Sequence, residues 1–266
     1  MPRYQRRPAA SAPAGCARVV LLVAGLLLPA RAAVAGRVRV APFEFTIPEG
    51  WTDLSPGAPE SNFEGLDPAA VAAARGDGAA MVAVDLAGAG DGFAENVNAR
   101  IVDCPGPFDE DLLGQLARAI VSPDNAPSFG GLTATLVESR IVAVGGATGA
   151  WILFDISRAD GFRVRTAQYH IPGGTTCAIL SYSTTPAAYA TYAPIFEAAA
   201  LATTGAADPP SRFSCARYLG AGLRGGVIGG IIGALSALAL GTGALVRRAR
   251  RRPTDVGTPP ADTPPT

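Results

Sequence analysis

One histidine, His170, occurs in the 266-residue chain, and there is no lysine. A single imidazole excludes histidine-dependent triads and multi-histidine metal centres. The missing lysine excludes Schiff-base and phosphate-loop chemistry. Carboxylates and cysteines remain. Asp109, Glu110 and Asp111 stand together, but three acids at the start of a helically periodic apolar stretch complement a helix dipole and lack the spacing of a calcium loop. A carboxylate pair such as Asp103 with Asp155 would suit a hydrolase, one acid opposite one base. No nucleophile elbow, phosphate loop or dinucleotide fingerprint is present, and GAGDG at residues 88–92 reads as a turn. The sequence therefore assigns no catalytic, metal or cofactor-binding residue, and a non-enzymatic protein is expected.

Both ends of the chain carry a membrane address. Arg3, Arg6, Arg7 and Arg18 precede an apolar run at residues 19–28, followed by small residues, the order of a secretory signal peptide spanning residues 1–35. Cleavage is expected after Ala35, with Ala32 as the competitor. Residues 225–246 hold no charge, and their 22 positions would make a helix about 33 Å long, enough for a hydrocarbon core of about 30 Å. Arg247, Arg248, Arg250, Arg251 and Arg252 follow as a stop-transfer cluster that stays cytoplasmic. The expected order is a signal peptide (1–35), an exported domain (36–204), a Pro/Gly-rich linker (205–223), a transmembrane helix (224–246) and a basic, then Pro/Thr-rich cytoplasmic tail (247–266). This is a single-pass type I topology in the cell membrane. Gly225, Gly226, Gly229, Gly230 and Gly233 repeat at intervals of four, a face that would pair two such helices in a homodimer.

The formal net charge of zero hides this division. Residues 36–219 carry 11 arginines against 20 carboxylates, while residues 1–35 carry five arginines and no acid. An acidic exported part argues against a nucleic-acid partner. Export also makes disulfides expected. Three pairings are open to Cys104, Cys177 and Cys215. The pair Cys104–Cys177 is favoured because one ends an apolar strand and the other begins one, which leaves Cys215 free or joining two chains.

Strands and a few helices must position these residues. VRVAPFEFTIPEGW at residues 38–51 places Phe43, Phe45 and Ile47 on one face of a single extended segment stopped by the turn at residues 48–50, and Trp51 after the turn reads as a core plug. Asp67 and Pro68 open a short helix that stops at Gly76, and Leu112, Leu113, Leu116 and Ile120 recur at helical spacing after the three acids. Four strands on short glycine turns then form an antiparallel meander between residues 132 and 183. A last helix is expected to open at Thr185 and Pro186 and end at Gly205, with Tyr189, Tyr192, Phe196 and Ala199 on its packed face. The sum is an α+β class: an antiparallel sheet flanked by helices, plus the C-terminal transmembrane helix.

Three passages, FEFTIPEGW, GFAENVNARIV and the series from GATGAWILFDI through CAILSYSTTPAAYATYAPIFEAAA, carry a family resemblance. Over most of residues 38–202 the chain resembles the PsbP-like α/β sandwich group, and within it the LpqN-like and DcrB-like bacterial cell-envelope proteins. The resemblance implies a non-enzymatic accessory or binding role with an envelope protein partner. A C-terminal membrane helix departs from most of that group, whose members are soluble or lipid-anchored. A carrier of a lipid or small molecule and a carboxylate-dependent hydrolase are the alternatives.

Overall fold

The computed structural model describes residues 34–209 except 76–77, 90–92, 105 and 124–131. The chain divides into two units, Met1–Arg31 and Ala32–Thr266, and every described residue belongs to the second. The body of the expected signal peptide, Cys215, the expected membrane helix with its glycines, and the arginines that follow it lie outside the described residues. Among the described residues, no helix is long and apolar enough to cross a membrane.

Alternation at period two dictates the first element, although it folds back on itself. β1 (Val34–Val40) and β2 (Phe43–Pro48) form an antiparallel hairpin around a cis Ala41–Pro42 bond. Cleavage after Ala35 would remove the first two residues of β1, whereas cleavage after Ala32 would leave it whole. There follow β3 (Thr52–Asp53), a 3-10 turn (Glu60–Phe63), α1 (Pro68–Arg75), β4 (Ala79–Val84), β5 (Asn96–Asp103), α2 (Glu110–Val121), β6 (Thr133–Val144), β7 (Ala147–Ser157), β8 (Arg163–Gly173), β9 (Thr176–Thr184) and α3 (Tyr189–Leu201). The strands after the hairpin make one antiparallel sheet in the order β3-β4-β5-β9-β8-β7-β6.

Each sheet face is covered differently. On one, Met81, Val97, Trp151, Leu153, Tyr169, Leu180 and Tyr182 pack against Phe43, Phe45 and Ile47 of the hairpin, Trp51, and Phe196 and Ala199 of α3. On the other, α1 covers Val82 and Val84 at one end, and α2 places Leu112, Leu116 and Ile120 against Ile152, Phe154 and Ile156 at the other. Local chemistry sets the helix starts. Asp67 accepts from the Ala69 amide at 2.9 Å, and Asp109 caps α2 by accepting from Leu112 at 2.8 Å. The expected opening of α3 at Pro186 is corrected to Tyr189. Thr185 Oγ1 accepts from the Ala188 amide and closes a separate turn before the helix begins.

After α3 the chain stays bonded to the body. Thr204 bridges Glu44, Ala207 bridges Gly173, and Asp208 accepts from the Thr148 amide at 2.8 Å. Gly205 makes this return fit: its φ is +86°, and a Cβ there would lie 2.0 Å from the Pro42 carbonyl oxygen. Only a residue without a side chain suits that conformation and that approach.

Candidate functional site

α1 and α2 leave β5, β9 and β8 between them, and the register decides what lies there. Asn96 opposes Ser183, which opposes Thr166; Asn98 opposes Ser181, which opposes Gln168; Arg100 opposes Ile179, which opposes His170. Side chains two apart share a face, so the first two rows and the ends of the third form one polar stripe between two apolar helix contacts. Apart from Arg100, every polar member is buried.

Much of the stripe is internally bonded. Thr166 and Ser183 share a hydroxyl bond at 3.2 Å, and Gln168 Nε2 donates to Ser181 Oγ at 3.0 Å. Gln168 Oε1 lies 2.9 Å from His170 Nε2, so with the amide oriented toward Ser181 the imidazole donates and is held in the Nε2–H tautomer. Burial pushes the His170 pKa down to about 3, and the Phe108 ring lies 6.1 Å away. A neutral imidazole locked as a donor to an amide is not poised as a general base at neutral pH. By contrast, neither atom of the Asn98 amide has a hydrogen-bond partner, at 3% exposure, and neither does Asn96 Oδ1. Leaving such a group unpaired costs about 1–3 kcal/mol, so a polar molecule that paired it would recover that energy.

A disulfide joins Cys104, just beyond β5, to Cys177 in β9, with Cα atoms 4.7 Å apart at the α2 end of the stripe. It ties together two strands separated by 73 residues.

The structure does not bring the sequence-derived carboxylates together. Asp103 opposes Thr176, whereas Asp155 opposes Arg165 in the rung that ends at Thr184. Eight positions along a strand separate these rungs, about 26 Å. Asp155 is buried and engaged by Arg163 at 2.8 Å and by both Arg165 nitrogens at 2.7 and 2.9 Å. Among the described residues, no group of three His, Cys, Asp or Glu side chains could hold a metal ion.

Sequence reasoning missed a closer acidic pair, Asp85 and Glu95, on the α3 face. Tyr192 Oη donates to Asp85 Oδ2 at 2.8 Å, and Thr184 Oγ1 donates to Glu95 Oε1 at 3.0 Å. Burial, then the bond to Asp85 and the negative charge of Glu95, raise the Tyr192 pKa well above its usual value. The pair is plugged by backbone. A Cβ on Gly88 would lie 2.5 Å from Tyr192 Oη, 2.9 Å from Asp85 Oδ2 and 3.0 Å from Glu95 Oε2. The Ala87 and Gly88 amides also donate to Asp85 Oδ1 at 3.0 Å. This arrangement pins the segment after β4 to α3 and leaves no room for a substrate between the carboxylates. Its only sequence signal was Gly88 beside Asp85, because Tyr192 lies 107 residues away.

No protein-family profile matches the chain, and no curated protein matches it by sequence. Among solved structures, the chain is similar to the cyanobacterial PsbP protein CyanoP of a Synechocystis species. The identity is 18% and the TM-score 0.46, over 65% of this chain and 92% of that one. The chain is also similar to LpqN of Mycobacterium tuberculosis, described as involved in cell envelope biogenesis, at 13% identity and TM-score 0.36 over 61% and 82% of the two chains. A Ran-binding protein of Saccharomyces cerevisiae shares 12% identity at TM-score 0.39, over 62% and 91%. These likenesses concern fold alone.

Proposed function

We propose that this chain is an accessory or binding protein of the bacterial cell envelope, anchored by one membrane helix at residues 224–246 with its PsbP-like domain outside, and that it acts without catalysis. The observation that carries the reading is the disulfide between two buried strands, because such a bond belongs to an oxidising compartment. The N-terminal signal pattern and the arginine cluster at residues 247–252 agree with that placement. The engagement of Asp155, Asp85 and His170 in packing partnerships supports binding over chemistry.

Reporter fusions test the topology. Alkaline phosphatase joined after Asp208 is expected to be active, and joined after Pro260 to be inactive. Activity at both positions, or at neither, would remove the anchored reading. Crosslinking in native membranes followed by mass spectrometry is expected to recover an envelope protein, and recovery of none would remove the accessory role. The unpaired Asn98 amide favours a second reading, a carrier of a small polar molecule held on the stripe between α1 and α2. Asn98→Leu would abolish such binding while leaving the fold intact.

A further inference from the structure

Among the described residues, β6 ends the sheet and is bonded on one side only, to β7. Its 12 residues form an edge about 40 Å long that no described strand pairs, while the opposite edge strand, β3, has two residues. An edge of that length is a template for another strand. Leu136 and Val137 stand on it 39% and 45% exposed, two of the three exposed large hydrophobic residues among the described ones. A bulge between Leu136 and Glu138 displaces Val137 from the ladder with β7. Beyond it, Glu138 and Arg140 share one face, two positions apart and both exposed.

Bulges and charges ordinarily blunt an edge, but this pair is self-complementary. When a strand pairs antiparallel with its own copy, the residue on the two-fold axis meets itself. An axis through Glu138 or through Arg140 would oppose like charges, which destabilises the pair. An axis through Ser139 instead opposes Glu138 to Arg140 of the other copy, twice, and sets the bulge residues Leu136 and Val137 together opposite Ile141. Arg140 now meets Glu197 at 3.2 Å across an exposed pair and stacks over Trp151. Exposed pairs contribute little, and a guanidinium has donors to spare for a second carboxylate.

We propose that β6 is a homodimer interface, in which two copies of this chain join edge to edge about a two-fold axis at Ser139 and extend the sheet across both. The interface is distinct from any pairing of membrane helices and does not depend on one.

The test uses the full chain in its native membrane with Cys16→Ser and Cys215→Ser, so that no native thiol competes. Ser139→Cys is expected to form a disulfide-linked dimer on mild oxidation, because cross-strand Cβ atoms opposite each other approach to about 5 Å. Thr133→Cys and Thr135→Cys alone are expected to stay monomeric, whereas Thr135→Cys combined with Val142→Cys, which face each other across the axis once the bulge is counted, is expected to cross-link. Glu138→Arg is expected to reduce the Ser139→Cys dimer at least tenfold, and Glu138→Arg with Arg140→Glu to restore it. Emission from the buried Trp51 and Trp151 reports whether each variant is folded. A folded Ser139→Cys chain that stays monomeric, cross-links no better than Thr133→Cys, or couples instead to a different protein overturns the proposal.

Discussion

Burial of His170 makes the fold acid-labile. The residue is 3% exposed, and burial holds its pKa at about 3, against roughly 6.5 in an unfolded chain. Between those values the unfolded chain binds a proton that the folded chain does not, so stability rises with pH. The contribution is therefore complete above about pH 6.5 and is lost as pH falls toward 3, at about 1.4 kcal/mol per pH unit. From pH 7 to pH 5 the loss is about 2 kcal/mol, a large share of a typical domain's stability. The sequence isolates the effect, since no other histidine exists to titrate in that window. Both tryptophans of the chain, Trp51 and Trp151, are buried in this domain, so their emission follows its unfolding in the intact protein. Urea titrations at pH 7 and pH 5 should differ by that amount. His170→Gln, which cannot take up the proton, should flatten the difference whatever it does to stability at pH 7. Equal stability of the native chain at both pH values, or the same loss in His170→Gln, would refute the argument.

Reducing the Cys104–Cys177 bond frees a chain segment of 73 residues, which the loop-entropy estimate puts at about 4 kcal/mol; an unchanged urea midpoint with reductant would contradict it. Gly205→Ala should cost about 2–4 kcal/mol, because the new methyl would meet the Pro42 carbonyl at a positive φ, and a melting temperature equal to that of the native chain would show that the return past α3 is slack. Tyr192→Phe removes the donor to Asp85 and should cost about 1–2 kcal/mol, with faster amide exchange at Ala87 and Gly88. Unaltered exchange there would mean that the segment after β4 is held by something else.

Local rules account for what was legible. The meander from β6 to β9 follows from alternation and glycine turns between neighbouring strands, and α1 and α2 begin at the capping residues Asp67 and Asp109. The polar stripe was not legible, because Asn98, Ser181 and Gln168 share a row only once β5 pairs with β9 and β9 with β8. In isolation Asn96 and Asn98 read as the wet side of a strand, yet both are buried in the folded domain. The separation of Asp103 from Asp155 likewise depends on register, which neither residue's neighbours reveal. The hairpin turn at Ala41–Pro42 lacks the Asn-Gly or Asp-Gly signature that marks tight turns, so β1 and β2 read as one extended piece.

The seam between β5 and β9 also imposes a schedule. β6 to β9 can zip in order as they emerge, but β5 must wait for the last strand of the sheet. Synthesis at about 5–20 residues per second delays the arrival of Cys177 behind Cys104 by roughly 4–15 seconds, far longer than the microseconds a hairpin needs. For that interval the N-terminal strands carry an open flank and Cys104 an unspent thiol, with Val97 and Ala99 uncovered. The nascent chain is most open to aggregation and to mispaired oxidation then, and a holding factor that acts during emergence would protect it more than one that acts on the finished protein.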